Sequence, residues 1–209
     1  TLRHAIQSTF DIELDQIEYS HMGELVDRID DKVLDNYFRN HLHAEMKKYK
    51  YSGPKLIDEV NSLNPRRVLD IGCGYHEFKG KIHNLVGIDP YNDAADIHVK
   101  LLDYHPDEKY DATLALGSIN FGSTDKVFAE LEHAVSLCNP GAVMFFRVNP
   151  GLPHDEADRP VGKNHSNWIY FYPWDANFIV NCAEQLNVDI LDIKTDSHRG
   201  RIYFVWRTK

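Results

Sequence analysis

Val68-Leu69-Asp70-Ile71-Gly72-Cys73-Gly74 is followed, nineteen residues after Asp70, by Val86-Gly87-Ile88-Asp89-Pro90. Each is a short apolar run closed by turn residues, the pattern of a buried strand. The first ends in a tight glycine turn and the second in an acid. Glycines at such a turn let backbone come close to a ligand, and a carboxylate at the end of the second strand accepts hydrogen bonds from a ribose diol. The pair predicts an adenosine-containing cofactor.

Downstream, further apolar runs at 97–101, 111–117 and 142–148 join those at 67–71 and 84–88, with lengths that suit buried parallel strands. Residues 123–138 carry Val127, Phe128, Leu131, Val135 and Cys138 at helical spacing, with Ser123, Thr124 and Asp125 as capping candidates and Asn139-Pro140-Gly141 as terminator. This predicts a strand, helix, strand unit. A further helix over 174–186 leads to a strand at 188–193, and a short turn at 196–200 joins it to 201–207. Two strands so closely joined predict an antiparallel hairpin.

Upstream, Met22, Leu25, Val26, Ile29, Val33, Leu34, Tyr37, Phe38, Leu42 and Met46 recur at steps of three and four, an amphipathic helix broken near Asn40. A second helix begins at Ser52-Gly53-Pro54, carries Leu56, Ile57, Val60 and Leu63, and stops at Asn64-Pro65. The chain thus divides into a helical extension, residues 1–64, and an α/β domain, residues 65–209. With 209 residues, 43% of them hydrophobic, it has enough apolar material for one such domain plus the extension.

The formal charge of −9 disfavours a surface built to neutralise phosphates, so nucleic acid is an unlikely partner. Cys73, Cys138 and Cys182 lie far apart, without metal-type pairing, and their odd number argues against a disulfide framework. No apolar run reaches bilayer length, and Thr1-Leu2-Arg3-His4 lacks the apolar core of a secretory signal. A reduced, cytoplasmic protein is expected.

Taken together, the glycine turn, Asp89, Leu102-Asp103-Tyr104, the strand near 110–117 and the terminal strand pair resemble the class I, Rossmann-like S-adenosylmethionine-dependent methyltransferases over residues 65–209. His76 stands where a dinucleotide fingerprint would place its third glycine, which separates the pattern from nicotinamide enzymes. The resemblance implies a seven-stranded, mainly parallel sheet whose last strand is antiparallel, and S-adenosyl-L-methionine as cofactor.

It also implies residue roles. Gly72, Cys73 and Gly74 would pass the methionine end, with Asp70 orienting that loop or holding the amino group. Asp89 would accept the ribose hydroxyls. Pro90 and Tyr91 would form part of the adenine wall, Tyr91 by stacking. Asp103, flanked by Leu102 and Tyr104, would contact the adenine amino group, and Gly117 and Ser118 would complete the cofactor contacts. No metal is implied, because His154-Asp155-Glu156 are adjacent side chains on a loop and rarely converge on one ion.

The resemblance departs in two places. The helices after the glycine turn and after Asp89 must fit within 75–84 and 91–96, far less than the family uses. A bare sheet face would expose too much apolar area, so the helices of residues 22–63 are expected to fold over it; failing that, the face would pack on a second subunit.

For chemistry, direct methyl transfer needs alignment of the nucleophile and, for some nucleophiles, a base. Gly117-Ser118-Ile119-Asn120-Phe121-Gly122 lacks the signatures of amino-directed and cytosine-directed nucleic-acid enzymes. The loop 149–173 holds His154 and His165 as candidate bases, with Trp168, Tyr170 and Tyr172 as pocket aromatics, and reads as a lid over a small substrate. The expected activity is methylation of a small-molecule nucleophile. A protein-directed methyltransferase and a catalytically silent cofactor- or partner-binding domain are the alternatives.

Overall fold

The structure is a computed structural model describing residues 22–40, 53–150, 171–195 and 200–209. Helices α1 (Met22–Asn40) and α2 (Gly53–Ser62) precede β1 (Val68–Ile71) and β2 (Leu85–Ile88). A single 3-10 turn at Leu101–Asp103 leads to β3 (Tyr110–Leu116), α3 (Thr124–Ser136) and β4 (Cys138–Val148). Helix α4 (Ala176–Gln185) and strands β5 (Val188–Thr195) and β6 (Ile202–Thr208) complete the chain.

The strands form one sheet in the order β2-β1-β3-β4-β6-β5. Pairings from β2 through β4 are parallel, and β6 runs antiparallel between β4 and β5. The last strand is therefore the inserted, reversed one, as expected. Six strands are described where seven were expected. The run at 97–101 makes only one bridge, Ile97 to Ile88, and then turns into the 3-10 segment. Ile97 is 39% exposed, so extending the sheet here would gain little apolar burial.

Side chains alternate across the sheet. Leu69, Ile71, Ala115, Met144, Phe146, Phe204 and Trp206 pack against Val127 and Leu131 of α3 and Ile179 and Cys182 of α4. On the opposite face Val68, Ala112, Leu114, Val143 and Phe145 meet Leu56 and Val60 of α2, with Ile82 and Phe78. The helices expected within 75–84 and 91–96 are absent: both segments are turns. His76 ties them together, its buried ring placing Nδ1 3.2 Å from the Ala94 carbonyl and Nε2 3.6 Å from Asp96. Helix α2 supplies the cover that those segments are too short to give. Burying a Leu or Val side chain is worth roughly 1.5–3 kcal/mol, so Leu56 and Val60 matter to this layer.

Candidate functional site

At the C-terminal edge of the parallel strands lies a cavity of about 1260 Å³. The β1 turn forms one wall. Gly72 sits at φ +65°, and a Cβ there would run into Ser118, so the turn can lie this close to the end of β3 only without a side chain. Asp89, at the end of β2, is buried and organises its surroundings. Its Oδ2 accepts the Gly74 N–H at 2.9 Å, while Oδ1 accepts those of Tyr91 and Asn92 at 2.8 and 3.0 Å. One carboxylate thus fixes the glycine turn and the chain after β2 relative to each other. A carboxylate has about four lone-pair positions, so three backbone donors leave capacity for a ligand hydroxyl.

Of the twelve residues expected around a cofactor, eleven line this cavity: Asp70, Gly72, Cys73, Gly74, Asp89, Pro90, Tyr91, Leu102, Asp103, Gly117 and Ser118. Tyr104 does not. It is buried in the core, and its hydroxyl lies 2.5 Å from that of Tyr110. The cause is the 3-10 turn, which leaves Leu102 and Asp103 exposed and sends the following side chain inward. Burial and the Tyr104 contact push the Tyr110 hydroxyl well above the ordinary tyrosine range. His154 and His165, with Asp155, Glu156, Trp168 and Tyr170, lie outside the described residues. The ends of their loop meet at Asn120, which accepts the Asn149 N–H through Oδ1 at 3.1 Å and the Tyr172 N–H through its carbonyl at 2.7 Å.

Several lining residues are not legible from motif reading. Helix α1 contributes Asp31, Leu34, Tyr37 and Phe38. It is docked by Asp27, which accepts the Ser123 N–H and hydroxyl at 2.7 Å each. Asp31 pairs with Lys126 at 2.6 Å and Lys100 at 3.3 Å. Burial raises the Asp31 pKa, but the two ammonium groups outweigh it and hold the carboxyl below its usual range. Phe38 faces Tyr91 and meets the edge of Phe121, which in turn lies 5.5 Å from Phe171. The wall is therefore aromatic on the α1 side.

Glu130 of α3 also faces the cavity, and among the described residues its enclosed Oε2 has no hydrogen-bond partner. Burial pushes its carboxyl up to about 8, helped by Asp31 and Asp27 and opposed by Lys126. In the sequence it is indistinguishable from the polar face of an amphipathic helix. Arg147, by contrast, carries a readable signal: it is the one charged residue in the otherwise apolar run 142–148.

No protein-family model and no curated protein matches the chain in sequence. Solved structures do match its fold. The N-methyltransferase NodS from Bradyrhizobium japonicum WM9, in complex with S-adenosyl-L-homocysteine, aligns with a TM-score of 0.61 at 11% identity, over 86% of this chain and 98% of its own. The 1,6-didemethyltoxoflavin-N1-methyltransferase of Burkholderia thailandensis, with 1,6-didemethyltoxoflavin and S-adenosylhomocysteine bound, gives 0.62 at 11% identity, over 95% and 93%. The [4+2]-cyclase SpnF gives 0.53 at 13% identity, over 90% and 94%. The chain has the Rossmann-like fold of the class I S-adenosylmethionine-dependent methyltransferases.

Proposed function

We propose that the protein is an S-adenosylmethionine-dependent methyltransferase that transfers the methyl group directly to a small-molecule nucleophile. One observation carries this reading: the glycine turn, Asp89, the Leu102-Asp103 turn and the end of β3 surround a single cavity at the C-terminal edge of the sheet. In that cavity Asp89 would hold the ribose hydroxyls, Asp103 and the Pro90-Tyr91 wall would hold adenine, and the backbone from Gly72 to Gly74, with Asp70, would hold the methionine end. When bound, the cofactor supplies an electrophilic methyl group on a sulfonium.

The chain's own contribution is alignment and exclusion of water. Gly117 and Ser118 form the floor, the aromatic wall of Phe38, Phe121 and Phe171 presents an apolar surface, and Asn120 pins the ends of the loop 149–172. A volume of about 1260 Å³ leaves room for a small second molecule beside the cofactor. Small-molecule substrates and a cytoplasmic setting are part of this proposal; no described helix is long and apolar enough to cross a membrane.

Thermal shift with S-adenosylmethionine and S-adenosylhomocysteine, followed by detection of homocysteine-product release over small-molecule pools, tests the reading. Stabilisation by both ligands and substrate-dependent product release are expected. No stabilisation at millimolar concentration overturns it, whereas binding without release from any pool favours a silent binder.

A further inference from the structure

We infer that Arg147 and Arg201 form an anion-recognition subsite in the substrate half of the cavity, so that the molecule methylated carries a carboxylate or similar small anion. This rests on the methyltransferase reading above.

The topology places the two residues side by side on one face of the sheet. Arg147 stands opposite Tyr203 in the antiparallel β4–β6 pair, and Val148 stands opposite Ile202. Arg201, one step before Ile202, is therefore the diagonal neighbour of Arg147 on the same sheet face. Such neighbours have Cα atoms roughly 7–8 Å apart, so two long side chains can reach one ligand. Both residues line the cavity.

Arg147 is held as a recognition group would be. The residue is only 8% exposed, and its Nη2 donates to the Leu116 carbonyl. The side chain passes over Gly117, where a Cβ would stand 2.5 Å from Nη2, so the glycine keeps the path open. A desolvated, oriented guanidinium binds a carboxylate far more strongly than a solvated one. At the strand ends themselves, apart from Lys81 and Lys100, which also line the cavity, charge changes sign along the sheet. Asp70 and Asp89 stand on the β1 and β2 side, Arg147 and Arg201 on the β4 and β6 side, with Gly117 and Ser118 between them. The first side suits a cationic sulfonium cofactor and its hydroxyls; the second suits an anion.

A carboxylate could come from the substrate or from the methionine end of the cofactor, and the experiment separates these sources. Affinities for benzoate, benzamide, S-adenosylhomocysteine and methylthioadenosine are measured by calorimetry on the full chain, with benzoate and benzamide titrated both with and without saturating S-adenosylhomocysteine. The proteins are wild type, Arg147→Gln and Arg201→Gln. Benzoate is expected to bind at least tenfold more tightly than benzamide to the wild type, and each substitution should weaken benzoate about tenfold or more while sparing S-adenosylhomocysteine.

Equal binding of benzoate and benzamide overturns the proposal. So does a substitution that weakens S-adenosylhomocysteine but not methylthioadenosine, which would assign the arginines to the cofactor's carboxylate. If Arg147→Gln does not fold, Arg201→Gln decides alone, because Arg201 is less buried. Loss of all S-adenosylhomocysteine binding in the wild type overturns the methyltransferase reading, and with it the substrate assignment, even if benzoate still binds.

Discussion

Tyr91 lies face to face with Phe38, their ring centroids 5.2 Å apart and their planes within 12°. The sequence reading expects adenine against Tyr91, so the finding shows that α1 already holds one face of this ring. The Arg39 guanidinium, 5.6 Å from the Tyr91 centroid, adds to the restraint, while burial, reinforced by the neighbouring Asp35 carboxylate, pushes the phenol above its ordinary range. An aromatic wall locked on one side is preorganised on the other.

Phe38→Ala is therefore expected to lower unfolding free energy by about 1–3 kcal/mol, below the cost for a fully buried Phe because Phe38 is half-buried. Phe38→Leu should cost less. Urea denaturation measures the stability term, and a titration with S-adenosylhomocysteine should show weaker binding to the alanine variant. Unchanged affinity would mean that the orientation of Tyr91 does not matter to the ligand.

Asp89→Asn tests the hub of the site. The aspartate takes three backbone N–H groups through two oxygens, whereas the amide offers one oxygen and turns an NH2 toward one of those donors. A stability loss of about 1–3 kcal/mol follows from the unsatisfied donor. Because the glycine turn and Tyr91 are positioned by the same carboxylate, binding of S-adenosylhomocysteine should fall by about tenfold or more, the worth of one charged hydrogen bond. Retention of full affinity would remove Asp89 from the ligand's contacts.

What could be read from the sequence, and what could not, divides along local and tertiary lines. The glycine turn, Asp89 and the hairpin of β5 and β6 are set by contiguous residues with strong backbone preferences, and each is found where the pattern puts it. The run at 97–101 looks like a strand but lies at the sheet edge, where Ile97 finds no cover. Asn139-Pro140-Gly141 reads as a helix stop, yet β4 already begins at Cys138, because Thr208 accepts the Ala142 N–H at 2.9 Å and donates to the Asn139 carbonyl at 2.6 Å. Those partners are about seventy residues away in sequence, beyond any local rule. The same holds for α1 in the cavity wall and for Glu130, whose burial only packing reveals.

Glu130 predicts a pH dependence. Its native carboxyl titrates at about 8, above the ordinary value of 4.5, so the folded protein retains a proton that the unfolded chain releases. Its contribution to stability is complete below about pH 4.5 and is lost as pH rises toward 8, with a slope of at most about 1.4 kcal/mol per pH unit. Glu130→Gln removes that slope. Its melting temperature should match the wild type near the lower limit and exceed it increasingly toward pH 8. A constant difference across this range would show that Glu130 is ionised in the native state at neutral pH.

Deleting the helices before Asn64 tests what replaces the missing crossover helices. Val68, Leu114, Val143 and Phe145 form a continuous apolar strip across β1, β3 and β4, and on this face Leu56 and Val60 of α2 cover it. The segment 75–84 contributes Phe78 and Ile82 but is built of turns, too little chain to shield three strands. Removing residues 1–63 exposes that strip and also strips Asp31 from Lys100 and Lys126, leaving two cations facing the cavity. The truncated protein should associate or precipitate, since a soluble monomer rarely carries an apolar patch above a few hundred Å². Sedimentation velocity across a concentration series reads this directly. A stable, soluble monomer would show that the sheet face closes without α2, and that the N-terminal helices serve the cavity alone.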